Sequence, residues 1–262
     1  MLGRRRHDGP GNRRPSSGGH RSRCRRADPG ATAGRRLGTS YDGYAKEYTS
    51  LLLNQRASHL AETIGVVRAL LAGRRESAGR LVDLACGPGL VTAALAEDGW
   101  RVTGVDASSE LVRIAQGRID RVVHADAANT GLPAGADIVV STYSHTDLTS
   151  WPDLVAEARR LLRPGGVLVY VGAHPAFVGP HIQRRDDPCW PARVAAGYYH
   201  DATLRHRAPG LSPGGVREHV GVRHLTVPAL LEPVFGAGWR VEEIRENAAD
   251  PPTLLGFRAV TT

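Results

Sequence analysis

From Tyr44 onward apolar and polar residues alternate in blocks that change period along the chain. Tyr44–Gln55 and Ala57–Ala72 are predicted helices. In the second, Leu60, Ile64, Val67, Leu70 and Leu71 recur at helical spacing. Short apolar runs then alternate with helical stretches: Leu81–Cys86 as a strand, Leu90–Glu97 as a helix and Arg101–Val105 as a strand. A helix capped by Ser108 or Ser109 runs to about Gly117, and Arg121–His124 and Asp137–Ser141 are strands. Ser150 caps the clearest helix, with Pro152 in its first turn and Leu154, Val155, Ala158, Leu161 and Leu162 on one stripe. Pro164-Gly165-Gly166 is expected to end it, before a β-branched and aromatic strand at Val167–Val171. Near-unbroken apolar strands alternating with helices imply a mainly parallel sheet covered on both faces. Residues 173–225 lose this rhythm, and a stretch that long without periodicity reads as an active-site lid. The chain closes with a helix at Val227–Phe235, kinked or shortened by Pro233, and strands at Arg240–Arg245 and Leu254–Val260.

Charge changes the picture at one end only. The 262 residues carry a net charge of +8, but residues 1–36 contribute 11 Arg and 2 Asp, or +9. The rest holds 23 Lys and Arg against 24 Asp and Glu, a charge of −1. Residues 1–37 contain too little apolar surface to offset backbone ordering and are expected to be a disordered tail, an arm for acidic partners or leader sequence from a misassigned start. Residues 38–262 are expected to form one domain. Cys24, Cys86 and Cys189 have no paired spacing, which suits a reducing compartment. With no long apolar run and no h-region behind Arg4-Arg5-Arg6, a cytoplasmic protein without membrane contact is expected. The 11 His include no helical ligand pair, so no metal site is expected.

The first strand leads into Asp83-Leu84-Ala85-Cys86-Gly87-Pro88-Gly89, where Gly87 and Gly89 permit close backbone approach to a ligand at a helix mouth. A third dinucleotide-fingerprint glycine would fall at position 92, which is Thr92. Asp106 ends the second strand 19 residues after Gly87, where a carboxylate can accept from ribose hydroxyls. Asp126 follows the third strand, placed to accept from an adenine amino group. A nicotinamide dehydrogenase would want a similar turn and acid, but the missing glycine disfavours it.

Asp83-x-x-x-Gly87-x-Gly89, Asp106, Asp126 and Leu161-Leu162-Arg163-Pro164-Gly165-Gly166 together resemble the class I S-adenosylmethionine-dependent methyltransferases, over roughly residues 40–262. The segments Ser144-His145-Thr146-Asp147, Gly172–His181 and Val220–His224 look like those of bacterial small-molecule members. The resemblance implies a doubly wound α/β, Rossmann-like fold of seven mostly parallel strands, the last antiparallel, with a lid insertion after strand five. It implies S-adenosyl-L-methionine as cofactor, with Asp83, Cys86, Gly87 and Gly89 around its methionine part and Asp106 and Ala107 at the ribose. Asp126 and Ala127 would border the adenine, and Ser141, Thr142 and Tyr143 would run along the sulfonium. The expected reaction is in-line methyl transfer to the O or N of a small molecule, by a monomer or homodimer. Acceptor-side groups should follow strands four and five, which makes His145, Asp147 and His174 the candidate bases, with His200 and His224 nearby. Tyr41, Tyr44 and Tyr48 are candidates for a cover over the cofactor. A nucleic-acid methylase using the basic tail is disfavoured by Ser141-Thr142-Tyr143-Ser144, which stands where amino methylases carry an Asn/Asp-Pro-Pro turn. A binding scaffold without transfer chemistry is the remaining alternative.

Overall fold

The structure is a computed structural model that describes residues 39–54, 56–74, 79–184, 192–194, 198–199, 203–204 and 216–261. The expected tail, His200, Cys24, Cys189 and parts of the 173–225 segment lie outside the described residues.

Two helices, α1 (Ala45–Asn54) and α2 (Ala57–Leu70), precede the sheet. Then β1 (Arg80–Leu84), α3 (Leu90–Glu97), β2 (Arg101–Asp106), α4 (Ser109–Ala115) and β3 (Val122–His124) build one half. The other half follows as β4 (Ala136–Thr142), α5 (Trp151–Leu161) and β5 (Leu162–Ala173). Beyond β5 come β6 (Ile182–Arg184), β7 (Ala192–Val194), β8 (Thr203–Leu204), α6 (Val216–Val220) and β9 (Val222–Arg223). The chain closes with α7 (Val227–Gly236), β10 (Trp239–Glu246) and β11 (Leu254–Thr261).

Seven strands form the main sheet in the order β10-β11-β5-β4-β1-β2-β3. The β3, β2, β1, β4 and β5 ladders are parallel, whereas β11 is antiparallel to both β5 and β10. Chain order reverses between β1 and β4, the switch point beyond which open α/β sheets leave a crevice at their carboxyl edge.

Strand periodicity explains how both faces are covered. Ile138 and Val140 of β4 and Val167, Val169 and Val171 of β5 pack under Val67, Leu70, Val91 and Leu95 of α2 and α3. The alternate residues Val139, Leu168 and Tyr170 face Trp151, Leu154, Ala158, Leu230 and Val234 of α5 and α7.

Three boundaries differ from the sequence pattern. Helix α5 stops at Leu161, and Leu162 is already extended and paired with Ala136, while Val167 pairs with Ile138. The Pro-Gly-Gly turn is therefore an excursion within the start of β5; Pro164 pushes the residue before it out of helical backbone. Helix α7 continues through Pro233 to Gly236 instead of stopping short, anchored by buried Leu230 and Val234. The segment after β5 is not featureless: β6 pairs with β7 and β8 with β9, both antiparallel.

Candidate active site

Two cavities open at the carboxyl edge of the sheet. The smaller, about 160 Å³, is lined by Asp106, Ala107, Asp126, Ala127, Ser144 and Asp147, with Thr39–Tyr41 above them. The larger, about 250 Å³, lies between α1, α2 and the β4 and β5 ends. Tyr48, Ala85, Gly87, Thr142 and Tyr143 line both, so these residues mark where the two spaces adjoin.

Asp106 is 8 % exposed at the end of β2. Its Oδ2 accepts from Gly87 N at 2.8 Å and its Oδ1 from Ser108 N at 2.9 Å. Burial raises its carboxyl above the usual range, against those two backbone donors. Each oxygen keeps lone-pair capacity for a further donor, as a vicinal diol would supply. Asp126 is exposed at the rim, with one oxygen held by Ala128 N.

Asp83 lies one layer below, fully buried, with Thr92 Oγ1 donating to its Oδ2 and no partner for its Oδ1. Burial first, and then the Asp106 charge, push its carboxyl up to about 7. Gly87 has a φ of +56°, and a Cβ there would meet nothing within 4 Å, so its missing side chain leaves cavity space. Gly89 does different work: it lines neither cavity, and a Cβ on it would crowd Ala115 of α4 at 3.1 Å. Buried Cys86 lines the larger cavity, and burial pushes its thiol up.

Beyond β4 the three expected sulfonium-side residues divide. Ser141 is fully buried and lines neither cavity; its Oγ lies 2.7 Å from both Leu84 O and Ser144 Oγ, tying the tips of β1 and β4 together. Thr142 and Tyr143 line both cavities. Tyr143 has a left-handed backbone, φ +56°, and its Oη lies 2.6 Å from His59 Nε2 and 3.0 Å from Thr63 Oγ1. Helix α2 thus fixes a ring whose backbone alone would disfavour this pose.

The candidate bases are all committed to partners. His145 is buried, with Nδ1 against Tyr170 Oη, and burial first, then the Arg217 and His224 charges, pull it down to about 3. It forms part of the larger cavity's wall as a neutral ring. Asp147 accepts from Arg217 Nη1 at 2.5 Å, from Tyr41 Oη at 3.1 Å and from Thr146 Oγ1 at 2.7 Å, and faces the smaller cavity. His174 lines neither; its Nε2 is 2.8 Å from Glu246 Oε1 and its Nδ1 accepts from Ala176 N.

Beside the expected Tyr41, Tyr44 and Tyr48, several contributors carry no signal in the sequence pattern. Asp42 Oδ1 accepts from Ser108 Oγ at 2.7 Å and from Ser109 Oγ and Glu110 N at 3.3 Å, clamping the amino-terminal segment onto the start of α4. Tyr41 and Tyr48 meet edge to face beneath that segment, while Tyr44 turns to stack on His219. Arg217 reaches Asp147 from 70 positions away, and Arg56 and His59 come from the start of α2. None belongs to a motif, because side chains from distant segments meet only after folding.

Residues 82–170 match the family model described as a methyltransferase domain. The chain is 33% identical over 147 residues to trans-aconitate 2-methyltransferase of Azoarcus sp. strain BH72, covering 50% of this chain and 58% of that protein. It is 31% identical over 131 residues to ribosomal RNA small subunit methyltransferase C of Alcanivorax borkumensis, covering 45% and 38%. It therefore spans about half, or less, of these curated relatives. A solved S-adenosylmethionine-dependent methyltransferase of Mesorhizobium loti superposes with a TM-score of 0.59 at 21% identity, over 75% of this chain and 96% of that one, which establishes the common fold. The residues present fit such a cofactor: a carboxylate with spare acceptor capacity at Asp106, an open backbone at Gly87 and an orphaned buried acceptor at Asp83. Residues 82–170 thus match a methyltransferase domain, and the sheet around them has the fold of a solved S-adenosylmethionine-dependent methyltransferase.

Proposed function

We propose that this protein transfers a methyl group from S-adenosyl-L-methionine to a small-molecule acceptor. The observation that carries the reading is the pair of cavities adjoining at Ala85, Gly87, Thr142 and Tyr143, one with the diol-accepting carboxylate and one with apolar walls. Asp106, Ala107, Asp126 and Ala127 would hold the adenosine part, and Asp83, Cys86 and Gly87 the methionine part. When bound, the cofactor supplies a methyl group activated on a sulfonium.

The protein's own contribution is alignment and water exclusion, which in favourable cases lower a barrier by roughly 7–11 kcal/mol. Tyr143, pinned by His59 and Thr63, walls the junction. Asp147, paired with Arg217 and Tyr41, orders the loop after β4 around it. His145 shapes the acceptor wall as a neutral ring, and His174 braces the end of β5 through Glu246.

Names of relatives point to acceptors of two kinds, trans-aconitate and ribosomal RNA. The walls of the larger cavity include Leu51, Leu52, Leu60, Val91, Val178 and Val222, which favours a small amphipathic molecule over a nucleic acid strand. Calorimetry with S-adenosylhomocysteine and tritium transfer from labelled S-adenosylmethionine into a cell extract test the reading. Label in the low-molecular-weight fraction supports it. Label in RNA, or a folded chain that binds no S-adenosylhomocysteine, refutes it.

A further inference from the structure

The two adjoining cavities differ in the sign of every charged residue that lines them. Asp106, Asp126 and Asp147 are the charged side chains of the smaller one, which has no Arg, Lys or His among its described lining residues. The larger has Arg56, Arg217 and Arg223, with His59, His145 and His224, and no Asp or Glu among its described lining residues. Acids are thus collected on the adenosine side and arginines on the acceptor side.

The arginines are not equivalent. Arg217 spends its charge on Asp147 and Thr146, and Arg223 Nη1 donates to Thr149 O. Arg56 is exposed at the amino-terminal end of α2 and lines the larger cavity. Its field reaches the pocket: after burial, the Arg56 charge is the next cause holding His59 below the usual histidine range, and it also acts on Tyr143. The remaining walls combine aliphatic residues, Leu51, Leu52, Leu60 and Val178 among them, with Thr63, Thr142, Tyr143 and Thr146. An exposed arginine on a cavity with an aliphatic wall suits an anion with a hydrocarbon body.

We propose that the acceptor is an amphipathic carboxylate, methylated on a carboxylate oxygen, with Arg56 as the residue that selects it. The inference rests on the methyl-transfer reading above. It also explains why no uncommitted base is needed among His145, Asp147 and His174: a carboxylate is ionised at neutral pH and is its own nucleophile. The carboxylate oxygen forms the new O–CH3 bond while the methyl–sulfur bond breaks, and its electron pair stays on sulfur. No proton moves, and an anion and a cation become two uncharged groups, so a desolvated cavity favours the step.

The test uses the full chain saturated with S-adenosylhomocysteine and titrated in a calorimeter with octanoate, octanol and octylamine. Octanoate is expected to bind at least tenfold more tightly than either comparator. Arg56→Ala should cost octanoate about tenfold while leaving the Kd for S-adenosylhomocysteine within twofold, and Arg56→Lys should recover part of the loss. In turnover, label transferred to octanoate should be released as methanol on mild alkaline hydrolysis, the signature of a methyl ester. Octanol or octylamine binding as tightly as octanoate would overturn the proposal. So would an Arg56→Ala variant weakened for S-adenosylhomocysteine instead, since Arg56 would then serve the cofactor's own carboxylate; the methyl-transfer reading would survive both results. Failure of the wild-type chain to bind S-adenosylhomocysteine would overturn both readings together.

Discussion

Two non-glycine residues of the site hold left-handed backbone, Ala85 at φ +61° and Tyr143 at φ +56°. Tyr143 has two side-chain partners to keep it there, whereas the Ala85 methyl has no polar tie and lines both cavities. Left-handed backbone costs an L-residue roughly 1–2 kcal/mol that glycine avoids. Ala85→Gly is therefore expected to raise unfolding stability by about 1 kcal/mol in urea titration, and unchanged or lower stability would show that the surrounding turn removes the strain. Asp83 gives a pH-dependent counterpart. Its carboxyl is raised to about 7 in the fold, chiefly by burial. The folded state therefore binds more protons than the unfolded one between about pH 4 and pH 7, and stability falls as pH rises through that window before levelling off. The ceiling on this loss, from a shift of roughly three pH units, is about 4 kcal/mol. Asp83→Asn is expected to flatten the slope, gaining stability at pH 8 and changing little at pH 4, as read from denaturation curves at the two pH values. A variant less stable at pH 8 than the wild type would contradict the assigned direction.

The elements show what alternation encodes and what it leaves out. Strands β1, β4 and β5 were legible because burial on both faces favours near-unbroken apolar runs, and α5 because Ser150, Pro152 and one apolar stripe agree. The sequence pattern carries α5 past Leu161 to the Pro-Gly-Gly turn because Leu162 is apolar in both readings: it fits a helical stripe, and it also fits the strand it joins. Helix α1 carries a role its pattern does not display. The turn ahead of it holds Asp42, whose oxygens accept from Ser108, Ser109, Glu110 and Thr39. Burial works against ionisation there, but these donors outweigh it and hold the carboxyl below the usual range. The charge also faces the amino end of α4, where the helix dipole favours an anion. Asp42→Ala is expected to cost about 1 kcal/mol of stability and to loosen the cover over the smaller cavity. Hydrogen exchange should accelerate in residues 39–54, and S-adenosylhomocysteine should dissociate several-fold faster in stopped flow. Exchange that stays at the wild-type rate would mean that Tyr41 and Tyr48 hold the segment without the clamp.

At the scale of the molecule, Gly87 and Asp106, which line the adjoining cavities, could be picked out from local motifs because each stands at a strand end that the fold places beside the switch point. Arg56, His59 and Arg217, which line the larger cavity, could not, since they belong to segments brought together by tertiary packing across 161 positions. The same logic divides the chain's charge. Residues 1–36 carry +9 and the remainder −1, so the chain's net basicity belongs to its first 36 residues. The chain's first described contribution to the site is Thr39, which lines the smaller cavity and donates its N–H to Asp42. Two truncations separate these roles. A chain beginning at residue 38 is expected to melt within about 1 °C of the full chain and to keep its S-adenosylhomocysteine Kd within twofold. It should also lose salt-sensitive binding to heparin, because the arginines that release counterions are gone. A chain beginning at residue 45 loses Tyr41 and the Asp42 clamp as well, and should bind S-adenosylhomocysteine more weakly by about tenfold. Equal loss of cofactor affinity in both truncations would place a determinant of the site within the arginine-rich segment and end its treatment as a tail.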